Sequence, residues 1–231
     1  MSNDTTFVSG TTVTSAWLQD VNNLVFRGQR ADGTLGSAVD LYNQGGTGAK
    51  NRTVQNKFQD SVSVTDFTGV DPTGVSDSTA GIQAALNTGK KVLFPAGTYK
   101  ISSVLNITVA GTSIEGDGYG LTYITQTTLN TGIVSSTVIN FRLKGVYLSY
   151  SGTPISGATA IYSSGANSHF ADFIIGNSYT GMEITSGTAQ YIDNFQIQNY
   201  VNIGLYIHAT NDVYVNTFII NAGNATNGAL G

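Results

Sequence analysis

Tyr162, Glu183, Tyr206 and His208 bring two phenols, a carboxylate and an imidazole into one part of the chain, at successive intervals of 21, 23 and 2 residues. A carboxylate accepts hydrogen bonds or moves protons, and an imidazole titrates near neutrality. Tyrosine rings offer flat apolar faces together with a polar tip. These groups suit a ligand that alternates hydroxyls with C–H faces, the surface of a sugar, and they predict carbohydrate binding. The competing reading is that all four are ordinary outward strand residues, solvated or covered by neighbouring subunits of a trimer.

Cleaving a glycosidic bond needs two carboxylates about 5 to 10 Å apart, one of them held protonated. Glu183 can join Asp172 or Asp193 in that role only if they lie on adjoining faces, and the spacing does not require it. A turn or a solvated surface is the other place for each of these acids. His169 and His208 lie 39 residues apart and form no metal-ligand spacing. The chain has no cysteine, so thiolate catalysis, disulfides and cysteine-ligated metal are excluded. It has no GxSxG element and no phosphate-binding glycine loop. The catalytic residues are therefore unknown, with Glu183 the one candidate, and neither a metal nor a cofactor is expected.

Charge narrows the partners further. All ten Lys and Arg residues lie at or before Lys144, and the last 87 residues hold none. A surface without cations cannot make the phosphate contacts that drive nucleic-acid binding. It also lacks the basic group that a polysaccharide lyase uses to take a proton or stabilise the resulting anion. Neither nucleic acid as a partner nor a lyase site within this chain is expected. Residues MSNDTTF lack the regions of a signal peptide, and no stretch approaches the roughly 18 apolar residues of a membrane span, so membrane insertion is not expected.

The elements that must hold the four residues show in a repeat. Ala160-Ile-Tyr, Gly181-Met-Glu-Ile, Gly204-Leu-Tyr-Ile and Gly228-Ala-Leu recur, the glycines 23 and 24 residues apart, while Phe173, Phe195 and Phe218 recur at 22 and 23. Two series on one period predict a coil of a three-sided parallel solenoid. The three Phe should stack inside, with Ile175, Ile197 and Ile220 two residues on. Met182, Ile184, Leu205 and Ile207 should then point inward, which turns Tyr162, Glu183, Tyr206 and His208 outward on neighbouring rungs. With 28 glycines, 12 tyrosines and only 10% charged residues, the composition is that of a β-rich, turn-rich chain and favours an all-β fold. The last Gly228-Ala-Leu-Gly aligns with the start of a strand, which predicts that the sequence is the N-terminal portion of a longer protein.

Ahead of the repeat, Asp71, Pro72, Thr73 and Gly74 break the chain. Ser76 or Asp77 can cap a helix carrying Ile82, Ala85 and Leu86 on one face, and Gly89 ends it. Val92, Leu93 and Phe94 then run through a Pro95-Ala96-Gly97 turn into Tyr99 and Ile101, which alternate with Lys100 and Ser102. A helix here would close one end of the solenoid and cover its open strand edges.

These runs, DFTGVDPTGVSDSTAGIQAAL at 66–86 and VLFPAGTYKIS at 92–102, resemble the start of the β-helix in pectate-lyase-like proteins, specifically in bacteriophage tail spikes. The resemblance implies a right-handed parallel β-helix over 61–231 with a capping helix. It implies binding, and in the full-length form depolymerisation, of a bacterial surface polysaccharide such as capsule or lipopolysaccharide, with the functional residues in later coils. It implies a homotrimer in the virion tail, made in the host cytoplasm. Hydrolysis is the leading enzyme reading, and a non-catalytic adhesin or structural tail segment is the alternative.

Residues 1–60 read as a separate module. Thr14 can cap a helix in which Trp17, Val21 and Leu24 share a face, with Val13 and Leu18 as a hydrophobic staple. The run FVSGTTVTSAWLQDVNNLVF at 7–26 is similar to a short element near the start of phage tail fibres and spikes. That likeness implies a virion-attachment segment contacting a tail or baseplate protein. Trp17, Leu18, Val21 and Leu24 would make the virion or trimer contact, with Trp17 alternatively the core of a local three-chain cluster. From 27 to 48 the chain is Gly-, Asp- and Asn-rich and reads as loop, with Tyr42 at the head of its last run.

Overall fold

The computed structural model of the chain describes residues 14–16, 18, 41–186, 188–208 and 212–222. Its contacts divide it into two compact units, Met1–Asp60 and Ser61–Gly231.

In the first unit the Leu18 amide donates to the Thr14 carbonyl at 3.1 Å, one turn of helix. Trp17, Val21 and Leu24 lie outside the described residues. Tyr42 belongs to a strand rather than to loop. β1 (Leu41–Tyr42) pairs antiparallel with β2 (Arg52–Thr53). Asn43 accepts from the Gly45 amide at 2.7 Å and starts the reversal between them. Thr53 caps α1 (Val54–Phe58) through the Asn56 amide at 3.0 Å, and Arg52 grips both oxygens of Asp60 at 2.8 and 2.7 Å.

The second unit is a right-handed parallel β-helix of about five turns. Each coil contributes to three sheets. The first sheet stacks β3 (Ser61–Ser63), β4 (Lys91–Phe94), β7 (Ser113–Gly116), β10 (Arg142–Lys144) and the opening halves of β13 (His169–Gly176), β15 (Gln190–Gln198) and β17 (Val213–Asn221). The second stacks β5 (Gly97–Ile101), β8 (Thr122–Gln126), β11 (Tyr147–Tyr150) and the closing halves of the same long strands. The third stacks β6 (Leu105–Ile107), β9 (Val134–Ser136), β12 (Thr159–Ser163), β14 (Thr180–Ile184) and β16 (Ile203–Ile207). The long strands turn the first corner through one left-handed residue each, Asp172, Asn194 and Thr217, at φ 53, 46 and 43°. Asp and Asn tolerate that region better than most, whereas the β-branched Thr217 bears a backbone cost there, and Asn194 also donates to Asp172 at 2.6 Å across the rungs.

At this end the cap hydrogen-bonds to the first coil's strand in each sheet. β3 pairs with β4. The Pro72 carbonyl takes the Thr98 amide, and the Ser78 amide reaches Lys100, both at 2.8 Å, along β5. Gln83 of α2 (Thr79–Leu86) both accepts from the Asn106 amide at 2.9 Å and donates to its carbonyl at 2.8 Å, stitching the helix to β6. Ile82, Ala85 and Leu86 are buried. The cap position is Ser78, not Ser76 or Asp77, and the Ser78 hydroxyl is turned back to hold the Asp71 amide at 2.9 Å. Asp77 instead takes the first helical amide, that of Thr79, at 2.9 Å.

Within the coils, Phe173, Phe195 and Phe218 stack at 5.3 and 5.6 Å, and Ile175, Ile197 and Ile220 are register partners, as the repeat predicts. Phe173 and Phe195 are buried, each such ring contributing about 1.5–3 kcal/mol. Phe218 and Ile207, expected inside, are 54% and 39% exposed, because they stand on rungs that no described rung covers. Among the described residues no helix is long and apolar enough to cross a membrane.

Candidate functional site

Alternation in β12, β14 and β16 decides which side chains reach solvent. Ile161, Met182 and Leu205 are register partners facing the core, so Tyr162, Glu183 and Tyr206, one residue on, form an outward row on three consecutive rungs. His208 follows Tyr206 by two residues, and its amide continues the ladder by donating to the Ile184 carbonyl at 3.0 Å. Its ring stacks on Tyr206, centroids 4.4 Å apart and planes within 12°, and its Nε2 meets Glu183 Oε1 at 3.1 Å. Thr185 donates to the Tyr162 hydroxyl at 3.0 Å. The fold thus brings together all four residues singled out in this region.

The cluster is open. The His208 side chain is 42% exposed and that of Glu183 25%. Its chemistry is that of a polar grip: one free carboxylate oxygen, two phenols and an imidazole edge within hydrogen-bonding reach of a ligand. Among the described residues, no hydrogen bond or ion pair brings a second carboxylate to Glu183. Asp193 sits on the first sheet and Asp172 at its corner, so neither joins Glu183 on the third. No group of three His, Cys, Asp or Glu side chains among the described residues is placed to hold a metal ion. Of the N-terminal candidates, only Leu18 is described, and it is 54% exposed.

The first sheet carries a polar cluster that the spacing did not reveal. Lys91, Glu115 and Lys144 meet there, with Glu115 Oε1 2.7 Å from the Lys144 ammonium and Glu115 Oε2 against that of Lys91. Partial burial pushes the Glu115 carboxyl up, but hydrogen bonds and charge from Lys144 and Lys91 outweigh it and leave its pKa below the ordinary value. Three of the ten cations of the sequence, Lys91, Arg142 and Lys144, are thus gathered on one face. The signal that could have found them is the rung register, which the unequal early coils hide.

A three-sheet parallel solenoid closed by a helix, with polar and aromatic side chains in outward rows, defines a pectate-lyase-like protein. Residues 61–229 match the family model described as rhamnogalacturonase A/epimerase, pectate lyase-like, and the chain belongs to that family. No curated protein matches it in sequence. Among solved structures, the Agl-KA catalytic domain is similar at 20% identity and a TM-score of 0.52, over 68% of this chain and 37% of that one. ORF18 of Geobacillus virus E2 is similar at 16% identity and a TM-score of 0.50, over 91% of this chain and 55% of that one. Tailspike protein 3 of bacteriophage CBA120 is similar at 15% identity and a TM-score of 0.50, over 95% of this chain and 42% of that one. At these identities the likeness is one of fold, and the chain spans about half or less of each protein's length.

Proposed function

We propose that this protein is a component of a phage tailspike that binds a bacterial surface polysaccharide, capsule or lipopolysaccharide, on its third sheet. The observation that carries the reading is the Tyr162, Glu183, Tyr206 and His208 cluster, assembled on consecutive rungs and partly exposed to solvent. The likeness to a tailspike over 95% of the chain supports placing the protein in the virion tail. Residues 1–60 would serve attachment to a tail or baseplate protein, with Trp17, Leu18, Val21 and Leu24 making that contact. A parallel homotrimer would cover apolar outward groups such as Ile219, which is 60% exposed; a monomer in light scattering refutes the trimer.

Depolymerisation of the bound glycan is the enzymatic form of this reading, and attachment without cleavage is its rival. The single carboxylate of the cluster favours attachment as the role of these four residues, because hydrolysis needs two. The test is incubation of the chain with capsule and lipopolysaccharide panels, following binding, reducing ends and ultraviolet absorbance. Binding without new ends establishes attachment, new reducing ends establish hydrolysis, and an unsaturated product establishes a lyase. No binding to any surface glycan refutes the proposal.

A further inference from the structure

Several polar side chains inside the solenoid close on nearby backbone. Thr112 donates to the Val109 carbonyl at 2.7 Å, and Thr122 to that of Phe94 at 3.1 Å. Gln126 uses both ends of its amide, donating to the Gly132 carbonyl at 2.8 Å and accepting from the Thr128 amide at 3.0 Å. Ser136, Ser163, Ser168 and Gln190 are fully buried too. Yet their three hydroxyls and the Gln190 Oε1 have no hydrogen-bond partner among the described residues. Ser178, which shares that condition, stands at a different corner. A buried polar atom left so costs stability, and native interiors satisfy nearly all of them.

The four meet at one corner, between the third sheet and the first. Ser163 closes β12, and Ser168 stands just ahead of β13 on the same coil. Ser136 is the register partner of Ser163 on the preceding coil. Gln190 stands ahead of Tyr191 as Ser168 stands ahead of its register partner His169, so Gln190 takes the place of Ser168 one coil on. Its Nε2 reaches back to the Gly165 carbonyl, in the turn between the two serines, which carries its amide into the corner. The third-sheet column runs Ile107, Ser136, Ser163, Ile184 and Ile207, so two small side chains stand where the flanking rungs carry isoleucine. Interiors are close-packed, and a gap edged by polar atoms takes up water where an apolar one stays dry. Register partners stand about 4.8 Å apart. That is beyond the roughly 2.8 Å of a hydrogen bond between hydroxyls and within the span of one bridging molecule.

We propose that this corner is a binding site for internal water, which bridges the Ser136, Ser163 and Ser168 hydroxyls and the Gln190 side-chain carbonyl. The hydroxyls both donate and accept, and Gln190 Oε1 accepts, so water finds here the two to four partners that hold it in an interior. The guest is neutral. Among the described residues no charged side chain is buried, and a cation would lose its hydration with no carboxylate to offset the loss. The site lies inside the coil whose outer face carries Tyr162, and it stands apart from any reading of what that face binds.

The test joins a crystal structure of the full chain, fine enough to place ordered water, with thermal unfolding of the parent, Ser163→Ala and Ser168→Ala. The expected result is ordered water within hydrogen-bonding distance of two or more of the four groups. Each substitution should then lower the thermal midpoint by about 2–4 °C, as one water-mediated hydrogen bond is lost. The sign of the shift discriminates. In a dry corner either substitution deletes a polar atom that has no partner, and the midpoint rises. The inference is overturned by a midpoint that stays or rises in either variant. It is also overturned by hydroxyls that bond directly to one another or to backbone in the crystal, by a corner that holds no water there, or by a metal cation in its place.

Discussion

Glu183 and His208 are 25 residues apart in sequence and 3.1 Å apart in space, because one coil of the solenoid returns the chain to the same face one rung higher. Their pair is partly exposed and contributes at most about 1 kcal/mol to folding. Glu183→Gln should therefore leave the thermal midpoint nearly unchanged while weakening binding of the recognised surface glycan about tenfold, since a charge-assisted acceptor becomes a neutral one. Calorimetric unfolding and titration of the same sample check both halves, and a large loss of stability would assign Glu183 to the fold instead.

Phe195 lies between Phe173 and Phe218 in the interior stack. Removing it leaves a cavity against two rings, so Phe195→Ala should cost about 3–5 kcal/mol in urea unfolding. Phe218→Ala should cost less than half as much, because that ring is already half exposed on the last described rung. Equal costs would mean that Phe218 is covered in solution.

How much was legible follows from coil length. First-sheet register partners Lys91, Ser113, Arg142, His169, Tyr191 and Tyr214 lie 22, 29, 27, 22 and 23 residues apart. The last two intervals are nearly equal, so the Phe stack and the outward Tyr162, Glu183 and Tyr206 row could be read directly from the repeat. The long intervals contain loops at 127–133 and 151–158, which move Arg142 and Lys144 out of any fixed period and hid their meeting with Lys91 and Glu115. The capping helix was legible because its face is local, although its first residue was not, since Ser78 spends its hydroxyl on the Asp71 turn. β1 and β2 are two residues each, too short to show alternation.

The Glu115 ion pairs give a pH dependence whose sign follows from its depressed pKa. A lowered carboxyl contributes stability that is fully present above its unfolded value, about 4.3, and is lost as pH falls through the lower folded value. The parent should lose this contribution in the acid range below about pH 4.5, and Glu115→Gln should lack that component while being less stable at pH 7 by about 1 kcal/mol, with two half-exposed lysines left facing a neutral amide. Urea midpoints at pH 7 and in that acid range, parent against variant, measure the difference; parallel shifts in the two proteins would remove Glu115 from the account.

The corner from the third sheet to the first is also built from left-handed residues, Gly111, Asn140, Asn167 and Ala189, at φ 79, 60, 54 and 55°. Their amides donate in turn to the next coil, Gly111 to Ile139, Asn140 to Ala166 and Asn167 to Thr188, so the four are equivalent positions of one ladder. Gly and Asn tolerate this conformation, whereas alanine bears a cost of roughly 1–2 kcal/mol. Glycine relieves that cost but gains freedom in the unfolded chain, which offsets part of it. Ala189→Gly should therefore stabilise the protein by roughly 0.5–1 kcal/mol, and Asn167→Ala should destabilise it by a similar amount. Thermal unfolding of the two variants tests the ladder, and a loss of stability in Ala189→Gly would show that its methyl group contributes more by packing than its backbone loses by strain.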